Sequence, residues 1–335
     1  MAKVGIVGAG GWGTALAVML RQNGHEVTMW EFDAGLARRM NRQRRNPVFL
    51  PGIRIPGDIV VTNDLPAVVT GRDMLLMAVP SHAMRSVCER MKDNDIGKAV
   101  VISCSKGIEN HTLLRMTEVL LKTLPGLKPG RLAVLSGPSH AEEVARGIPT
   151  VVVAASGYAS TAGQVQSLFM NPVFRVYTCE DTVGVELGGA LKNIIAIAAG
   201  ISDGVGFGDN TKAALMTRGM VEITRLGTAL GANALTFAGL SGMGDLFVTC
   251  TSCHSRNRFV GEQIGRGKTL QQVLEKMVMV AEGVRTTESV LDLARKHQVH
   301  MPITEQVFRV LFEEKPPEQA VHDLMTRDPK AEDWG

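Results

Sequence analysis

The chain has 335 residues, long for a single hydrophobic core, so two domains are expected. Apolar residues make up 45% of it and aromatics only 4%, which suits an α/β protein rich in small apolar side chains and leaves few rings on which single-stranded nucleic acid could stack. A formal charge of +3 supplies no field that demands a polyanion, and no uninterrupted apolar run reaches the roughly 18–20 residues of a membrane span.

The first thirty residues organise the rest. Lys3 to Val7 is a short β-branched run and Ala15 to Leu20 an apolar, helix-favouring one, with Gly8, Gly10 and Gly13 between them in G-x-G-x-x-G spacing. In a strand–turn–helix unit the first glycine makes the tight turn, the second lets the backbone approach a pyrophosphate, and the third lets helix and strand pack closely. The helix N-terminus then offers unpaired N–H groups to the phosphates. A second strand, Glu26 to Trp30, leads to Glu31, eighteen positions after Gly13. That is where a carboxylate accepts hydrogen bonds from the adenosine ribose hydroxyls and repels a 2′-phosphate, so the reading leans to NAD over NADP. Asp33 is the alternative ribose ligand, or the cap of the next helix.

The segment from Gly35 to Arg45 carries Arg38, Arg39, Arg42, Arg44 and Arg45 and reads as a solvated helix face with a weak pull on anions. Asn46 to Pro51 reads as an irregular loop, because proline at 47 and 51 opposes regular pairing. Further strands are expected at Ile59–Thr62, Met74–Val79, Ala99–Cys104 and Leu132–Leu135, with two more on a less regular edge at Thr150–Ala154 and Val173–Tyr177. Continuous apolar strands separated by helical stretches predict a parallel sheet covered on both faces. Ligands bind such sheets beyond the carboxyl ends of the strands, which makes Lys106 and Ser139 candidates by position. Lys106 could equally be an exposed loop lysine.

From about 182 to 325 the pattern is helical. The fold class is therefore α/β: an N-terminal Rossmann-like doubly wound parallel sheet over residues 1–180, and a second, all-α C-terminal domain over 181–335 for substrate and catalysis. The charged tail after Pro329 reads as frayed. In the helical half, Val185 to Gly200 is a long apolar helix interrupted by Glu186, Lys192 and Asn193. Lysine is rarely buried unless paired, so Lys192 either snorkels to water or serves as a proton donor and acceptor. Gly242-Met-Gly-Asp245 reads as a turn delivering a carboxylate, and Val280 to Gly283 as a turn between helices. Ser255, Arg256 and Asn257 at a helix start have the hydrogen-bond types and charge of a phosphate cradle.

The five cysteines (Cys88, Cys104, Cys179, Cys250 and Cys253) are odd in number and scattered, which fits reduced thiols. Cys250-Thr-Ser-Cys253-His254 matches a haem-attachment pattern, but that needs an oxidising compartment, and a zinc site would lack its second ligand pair. The apolar stretch at the N-terminus is interrupted by five glycines between residues 5 and 13, unlike a signal peptide. A cytoplasmic protein without metal is expected.

Taken together, these segments closely resemble the bacterial NAD(P)-dependent sn-glycerol-3-phosphate dehydrogenases, which reduce dihydroxyacetone phosphate. The resemblance spans nearly the whole chain. It is carried by Gly8-Ala-Gly-Gly-Trp-Gly-Thr-Ala, Asn46-Pro-Val-Phe-Leu-Pro, Ser105-Lys-Gly-Ile-Glu, Ser136-Gly-Pro-Ser, Ala141-Glu-Glu-Val, Glu186 to Asn193, Gly242-Met-Gly-Asp-Leu, Ser255-Arg-Asn-Arg and Ala281-Glu-Gly.

The resemblance implies that Lys192 is the catalytic acid/base. It further implies that Lys106, Gly137, Ser139, Asp245, Ser255, Arg256 and Asn257 contact substrate; by residue type, Lys106 or Asn193 can stabilise the developing oxyanion. Gly11, Trp12, Phe49, Lys106, Ala141, Arg256, Val280 and Glu282 would lie against NAD(P)H. The product would feed phospholipid synthesis. Two positions depart from the family: Glu31-Phe32-Asp33 replaces a common arginine, supporting NADH, and Gly11 stands where serine is common. Two other readings stay open, another two-domain hydroxy-acid or hydroxyacyl dehydrogenase and a non-catalytic NAD(H) sensor. A homodimer through exposed apolar helix faces is compatible with the sequence. A small phosphorylated molecule is the expected partner, with no nucleic acid.

Overall fold

A computed structural model describes residues 1–329, 331 and 332, so most of the tail beyond Pro329 lies outside the described residues. The chain forms two compact units. One comprises Met1–Lys106 and Arg115–Thr182, and the other comprises Gly107–Leu114 and everything from Val183 on. Each has its own apolar core.

The first unit is built on a sheet of eight strands: β1 (Lys3–Val7), β2 (Glu26–Trp30), β5 (Val60–Thr62), β6 (Met74–Met77), β7 (Val100–Ser103), β8 (Leu132–Ser136), β9 (Thr150–Ala155) and β10 (Phe174–Cys179). They run in the order β10-β9-β8-β7-β6-β1-β2-β5. Helices α1 (Gly11–Gln22), α2 (Ala34–Gln43), α3 (Leu65–Val69), α4 (Met84–Met91), α5 (Met116–Thr123), α6 (Ala141–Val144) and α7 (Ala159–Phe169) connect them. All residues of β6, β7 and β8 are buried, as expected of strands covered on both faces. β1 lies between β2 and β6, the place where the order reverses and where ligands of such sheets bind.

Two features differ from the sequence reading. Every pairing in the sheet is parallel except β8 with β9, which is antiparallel. The only helix between them, α6, has four residues and rises about 6 Å, too little to carry the chain back along a strand of about 17 Å. The segment expected as an irregular loop is instead a small antiparallel hairpin, β3 (Arg45–Asn46) with β4 (Leu50–Arg54). Pro47 falls in its turn, where no N–H is needed. Asn46 locks it: the fully buried amide donates to Ala9 O at 2.8 Å and Thr14 Oγ1 at 2.9 Å, and accepts from Phe49 N–H at 3.0 Å.

The second unit surrounds α8 (Thr182–Val205), in which every residue from Gly184 to Ser202 is buried. By length and composition this helix could cross a membrane, but its apolar stretch is wholly enclosed by protein, as in a core helix. The segment Ala234–Thr251 passes the same length and composition test but is only partly enclosed, and it is not one regular helix. Around α8 are α9 (Asp209–Ala229), α10 (Ala234–Phe237), α11 (Asp245–Thr251), α12 (Arg256–Gly265), α13 (Leu270–Leu274), α14 (Glu282–Lys296), α15 (Pro302–Phe312) and α16 (Pro317–Met325). A single π turn, Leu240–Gly244, leads directly into α11. Ile108, from the excursion Gly107–Leu114, is buried in this helical core.

Candidate active site

In the first unit the glycine turn has the geometry its spacing predicts. Gly8 sits at φ +112°, and a Cβ there would meet the Ala78 carbonyl oxygen at 2.7 Å. A Cβ on Gly13 would lie 1.9 Å from Gly8 O, so strand and helix touch backbone to backbone. Gly10, the N-cap of α1, faces open space within 4 Å, and no side chain caps the helix. The buried indole N–H of Trp12 has no hydrogen-bond partner among the described residues. Open space over a glycine, an uncapped helix start and an orphan donor fit a pyrophosphate-bearing cofactor.

Gly11 is spatially consequential. A Cβ there would meet Phe49 O at 2.8 Å, with the Ala141 methyl at 3.8 Å, so glycine lets the β3–β4 turn lie closer than serine could. At the end of β2, Glu31 is buried and its backbone is pinned on both sides, its N–H donating to Thr62 O at 2.9 Å and its carbonyl accepting from Asn63 at 3.1 Å. The carboxylate accepts from Asp33 N–H at 3.0 Å. Burial pushes its pKa up and the Asp33 charge adds to this, while hydrogen bonds from the Asp33 and Phe32 backbones pull it back. Asp33 itself caps α2, accepting from Leu36 N–H. Arg38, Arg39 and Arg42 line an open hollow with Asp33, Gly35 and Leu36.

Past the ends of β7 and β8, Lys106, Gly137 and Ser139 come together. Lys106 Nζ donates to Gly137 O at 3.0 Å, and Ser139 Oγ donates to the same oxygen at 2.9 Å. Gly137 adopts φ +139°, where a Cβ would press on Val152 Cα at 3.0 Å. Cys104 beside them is inert: burial pushes its thiol up to about 12, against the pull of the Lys106 charge.

The second unit holds a buried lysine. Lys192 does not snorkel: it is 6% exposed, and Nζ donates to Asp245 Oδ1 and to Thr249 Oγ1, the latter at 2.6 Å. Thr249 in turn donates to the Asp245 carbonyl at 2.6 Å. Asp245 opens α11 straight out of the π turn, whose glycines allow close approach; a Cβ on Gly242 would lie 2.1 Å from Phe237 O, and one on Gly188 of α8 2.6 Å from Ser241 O. Thr249 escaped the sequence reading. Its spacing four residues after Asp245 was the available signal, since that places both on one helix face.

One residue along α8, Asn193 Oδ1 accepts from Asn257 Nδ2 at 2.9 Å, and Asn257 Oδ1 accepts from Gly283 N–H at 2.9 Å. Ser255 is the N-cap of α12, its hydroxyl accepting from Arg258 N–H at 3.2 Å. Arg256 Nη1 donates to Val280 O at 2.8 Å, and Glu282 begins α14. Asn193 and Asn257 are thus tied to the start of α14, and Arg256 to Val280 just before it.

Comparison with known proteins places this arrangement. A model of the NAD-dependent glycerol-3-phosphate dehydrogenase N-terminus matches residues 3–162, and the model of the same family's C-terminus matches residues 181–322. The chain belongs to this family. It is 53% identical over 332 residues to a glycerol-3-phosphate dehydrogenase [NAD(P)+] of Salinibacter ruber, covering 99% of this chain and 96% of the relative. The corresponding protein of Pelotomaculum thermopropionicum is 55% identical over 325 residues, covering 97% and 93%. The crystal structure of glycerol-3-phosphate dehydrogenase from Coxiella burnetii superposes with a TM-score of 0.93 at 39% identity, covering 97% of this chain and 99% of that one.

In this chain the first unit carries the Rossmann-like sheet and the second the buried lysine.

Proposed function

We infer that this chain reduces dihydroxyacetone phosphate to sn-glycerol 3-phosphate with NAD(P)H, and catalyses the reverse reaction. The observation that carries the chemistry is the buried Lys192, hydrogen-bonded to Asp245 and Thr249. When bound, the reduced nicotinamide supplies a hydride to the ketone carbon. Lys192 donates a proton from Nζ to the carbonyl oxygen as negative charge develops there. Asp245 stabilises the ammonium over the amine, and Thr249 fixes its direction. Lys106 and Asn193 are assigned to the developing oxyanion. Gly137, Ser139, Ser255, Arg256 and Asn257 are assigned with Lys106 and Asp245 to substrate binding, the cradle of α12 taking the phosphate.

We assign Gly8, Gly10, Gly11, Trp12, Gly13, Glu31, Phe49, Lys106, Ala141, Arg256, Val280 and Glu282 to the cofactor. Asp33 acts there through α2 and through its N–H to Glu31. The buried Glu31 supports NADH as the preferred form. The division into a dinucleotide-binding domain and a helical substrate domain is part of the same reading. So are supply of glycerol 3-phosphate for phospholipids, a cytoplasmic setting for the free thiols, and a homodimer.

Reduction uses Lys192 as the ammonium, and oxidation requires it as the free amine. The test is NADH and NADPH oxidation with dihydroxyacetone phosphate on wild type and Lys192→Ala, with NADH binding measured separately. Activity should fall by about 10²–10⁴-fold while NADH still binds. An alkaline limb in the oxidative pH profile should vanish with the lysine. Undiminished turnover in the variant would remove Lys192 from the mechanism.

A further inference from the structure

The phosphate cradle at the start of α12 is held by a contact with α8 that has a distinctive construction. Gly200 and Gly204 on α8 and Gly261 and Gly265 on α12 repeat at four-residue spacing and meet each other's helix reciprocally. A Cβ on Gly200 would lie 2.0 Å from Arg258 O and one on Gly204 2.3 Å from Glu262 O. In return, a Cβ on Gly261 would lie 2.0 Å from Ile197 O and one on Gly265 2.4 Å from Ile201 O. The two helices therefore approach backbone to backbone. Glycine surfaces set this distance but do not fix how far one helix slides along the other, because they have no side chains to interlock.

That role falls to Asp203, near the end of α8. Its Oδ2 accepts from Arg258 Nε at 2.8 Å and lies 2.7 Å from Arg258 Nη2, while Oδ1 pairs with Lys212 of α9 at 2.5 Å. The side chains of Asp203 and Arg258 are 14% and 20% exposed, so water screens the pair only partly. Arg258 is also the residue whose backbone N–H is capped by Ser255. Its side chain and its backbone thus tie the Ser255–Asn257 turn to Asp203 in two steps. The same placement brings Asn257 to Asn193, the neighbour of Lys192.

We propose that Asp203 is a positioning residue for the substrate's phosphate: by anchoring Arg258 across the glycine-lined α8/α12 contact, it fixes the register of the Ser255–Arg256–Asn257 cradle against the helix that carries Lys192. This rests on the functional reading above and adds to it a residue that touches neither substrate nor cofactor. Without Asp203, the Arg258 side chain retains Glu262, 3.4 Å away on its own helix, and that pair cannot fix α12 against α8.

The experiment compares wild type, Asp203→Asn and Arg258→Lys with two substrates, dihydroxyacetone phosphate and unphosphorylated dihydroxyacetone, alongside NADH binding and melting temperature. Asp203→Asn should raise KM for the phosphorylated ketone about tenfold, roughly 1.4 kcal/mol, with kcat within about twofold. NADH affinity and kcat/KM for dihydroxyacetone should hold, so the preference for phosphate falls by the same factor. Arg258→Lys keeps the charge but loses the two-nitrogen grip, and should show a smaller shift of the same kind; it carries the test if Asp203→Asn does not fold. A lower melting temperature with an unchanged preference for phosphate would make the network merely structural and overturn the proposal. So would a fall in kcat shared equally by both substrates. A wild type indifferent to the phosphate would instead overturn the functional reading beneath it.

Discussion

Glu222 offers the sharpest test of the energetics of the helical unit. It lies on α9, 3% exposed, and caps α15 from outside that helix: its carboxylate accepts from Ile303 N–H at 2.6 Å, Thr304 N–H at 3.2 Å and Thr304 Oγ1 at 3.1 Å. Burial raises its pKa from 4.5 to about 7, outweighing those hydrogen bonds and the nearby Arg225 charge, which pull the other way. A group whose folded pKa is raised favours folding while protonated. Its contribution is complete below the unfolded value and is lost as pH rises through the folded one. At 1.36 kcal/mol per unit, the loss between pH 4.5 and 8 is about 3 kcal/mol. Glu222→Gln keeps the shape without the ionisation. Its amide faces the same donors at a fixed cost of about 1–3 kcal/mol, but that cost does not vary with pH. Urea unfolding of the two proteins, followed by helical circular dichroism at several pH values, reads the difference directly, because contributions of other titrating groups cancel. The variant should gain on wild type by about 3 kcal/mol from pH 4.5 to 8. A difference that stays flat across that range would refute the reasoning and leave Glu222 ionised throughout, held so by its three donors.

Two further outcomes follow from the dinucleotide side. Removing the Glu31 carboxylate in Glu31→Ser should raise NADPH efficiency relative to NADH by about tenfold, since a ribose-facing carboxylate repels a 2′-phosphate; steady-state rates with both cofactors check this, and an unmoved ratio takes Glu31 away from the ribose. In Gly13→Ala the new Cβ would stand 1.9 Å from Gly8 O, so helix and strand must part. Overpacking of this kind should cost about 1–3 kcal/mol of stability and weaken NADH binding, as thermal melting and fluorescence titration would show.

How much of this was legible before the structure depends on whether a property is local. The glycine turn, the buried strands and the helical second half were readable because turn chemistry and apolar runs are encoded along a few adjacent residues. The direction of β9 was not, since pairing sense is decided by how the chain returns and a four-residue helix cannot carry it back. The β3–β4 hairpin was hidden by its prolines, which oppose regular pairing, yet the two strands pair around a turn that Asn46 holds. Spacing favoured Glu31 over Asp33 as the ribose carboxylate, and the cap that Asp33 was allowed as an alternative is the role seen, with Leu36 N–H donating to it. Asp245 was foreseen as a carboxylate on a turn, but its pairing with Lys192, and the part of Thr249, depend on which face of α11 meets α8, information that only packing contains. Of the arginine run around residue 40, Arg38, Arg39 and Arg42 lie on α2 and line an open hollow, whereas Arg44 is the C-cap of that helix, donating to Ile59 O at 2.8 Å, and Arg45 belongs to β3.

The placement of Lys192 also separates stability from function. A buried ion pair gains little over apolar side chains of the same volume, whereas removing one member leaves an uncompensated charge that costs about 3–5 kcal/mol. The pair therefore does not explain why α8 is stable. That stability comes from a helix enclosed on all sides, with glycines at 188, 200 and 204 admitting neighbouring backbone where any side chain would block it. The surrounding helices exclude water, and exclusion is what gives the ammonium a defined direction: bonds to Asp245 and Thr249 hold Nζ in place. In water the same lysine would be protonated but unoriented, able to donate to anything nearby. Burial thus exchanges solvation for aim, and proton transfer to a ketone oxygen depends on aim, because a catalytic proton must start within hydrogen-bond reach of the atom that receives it.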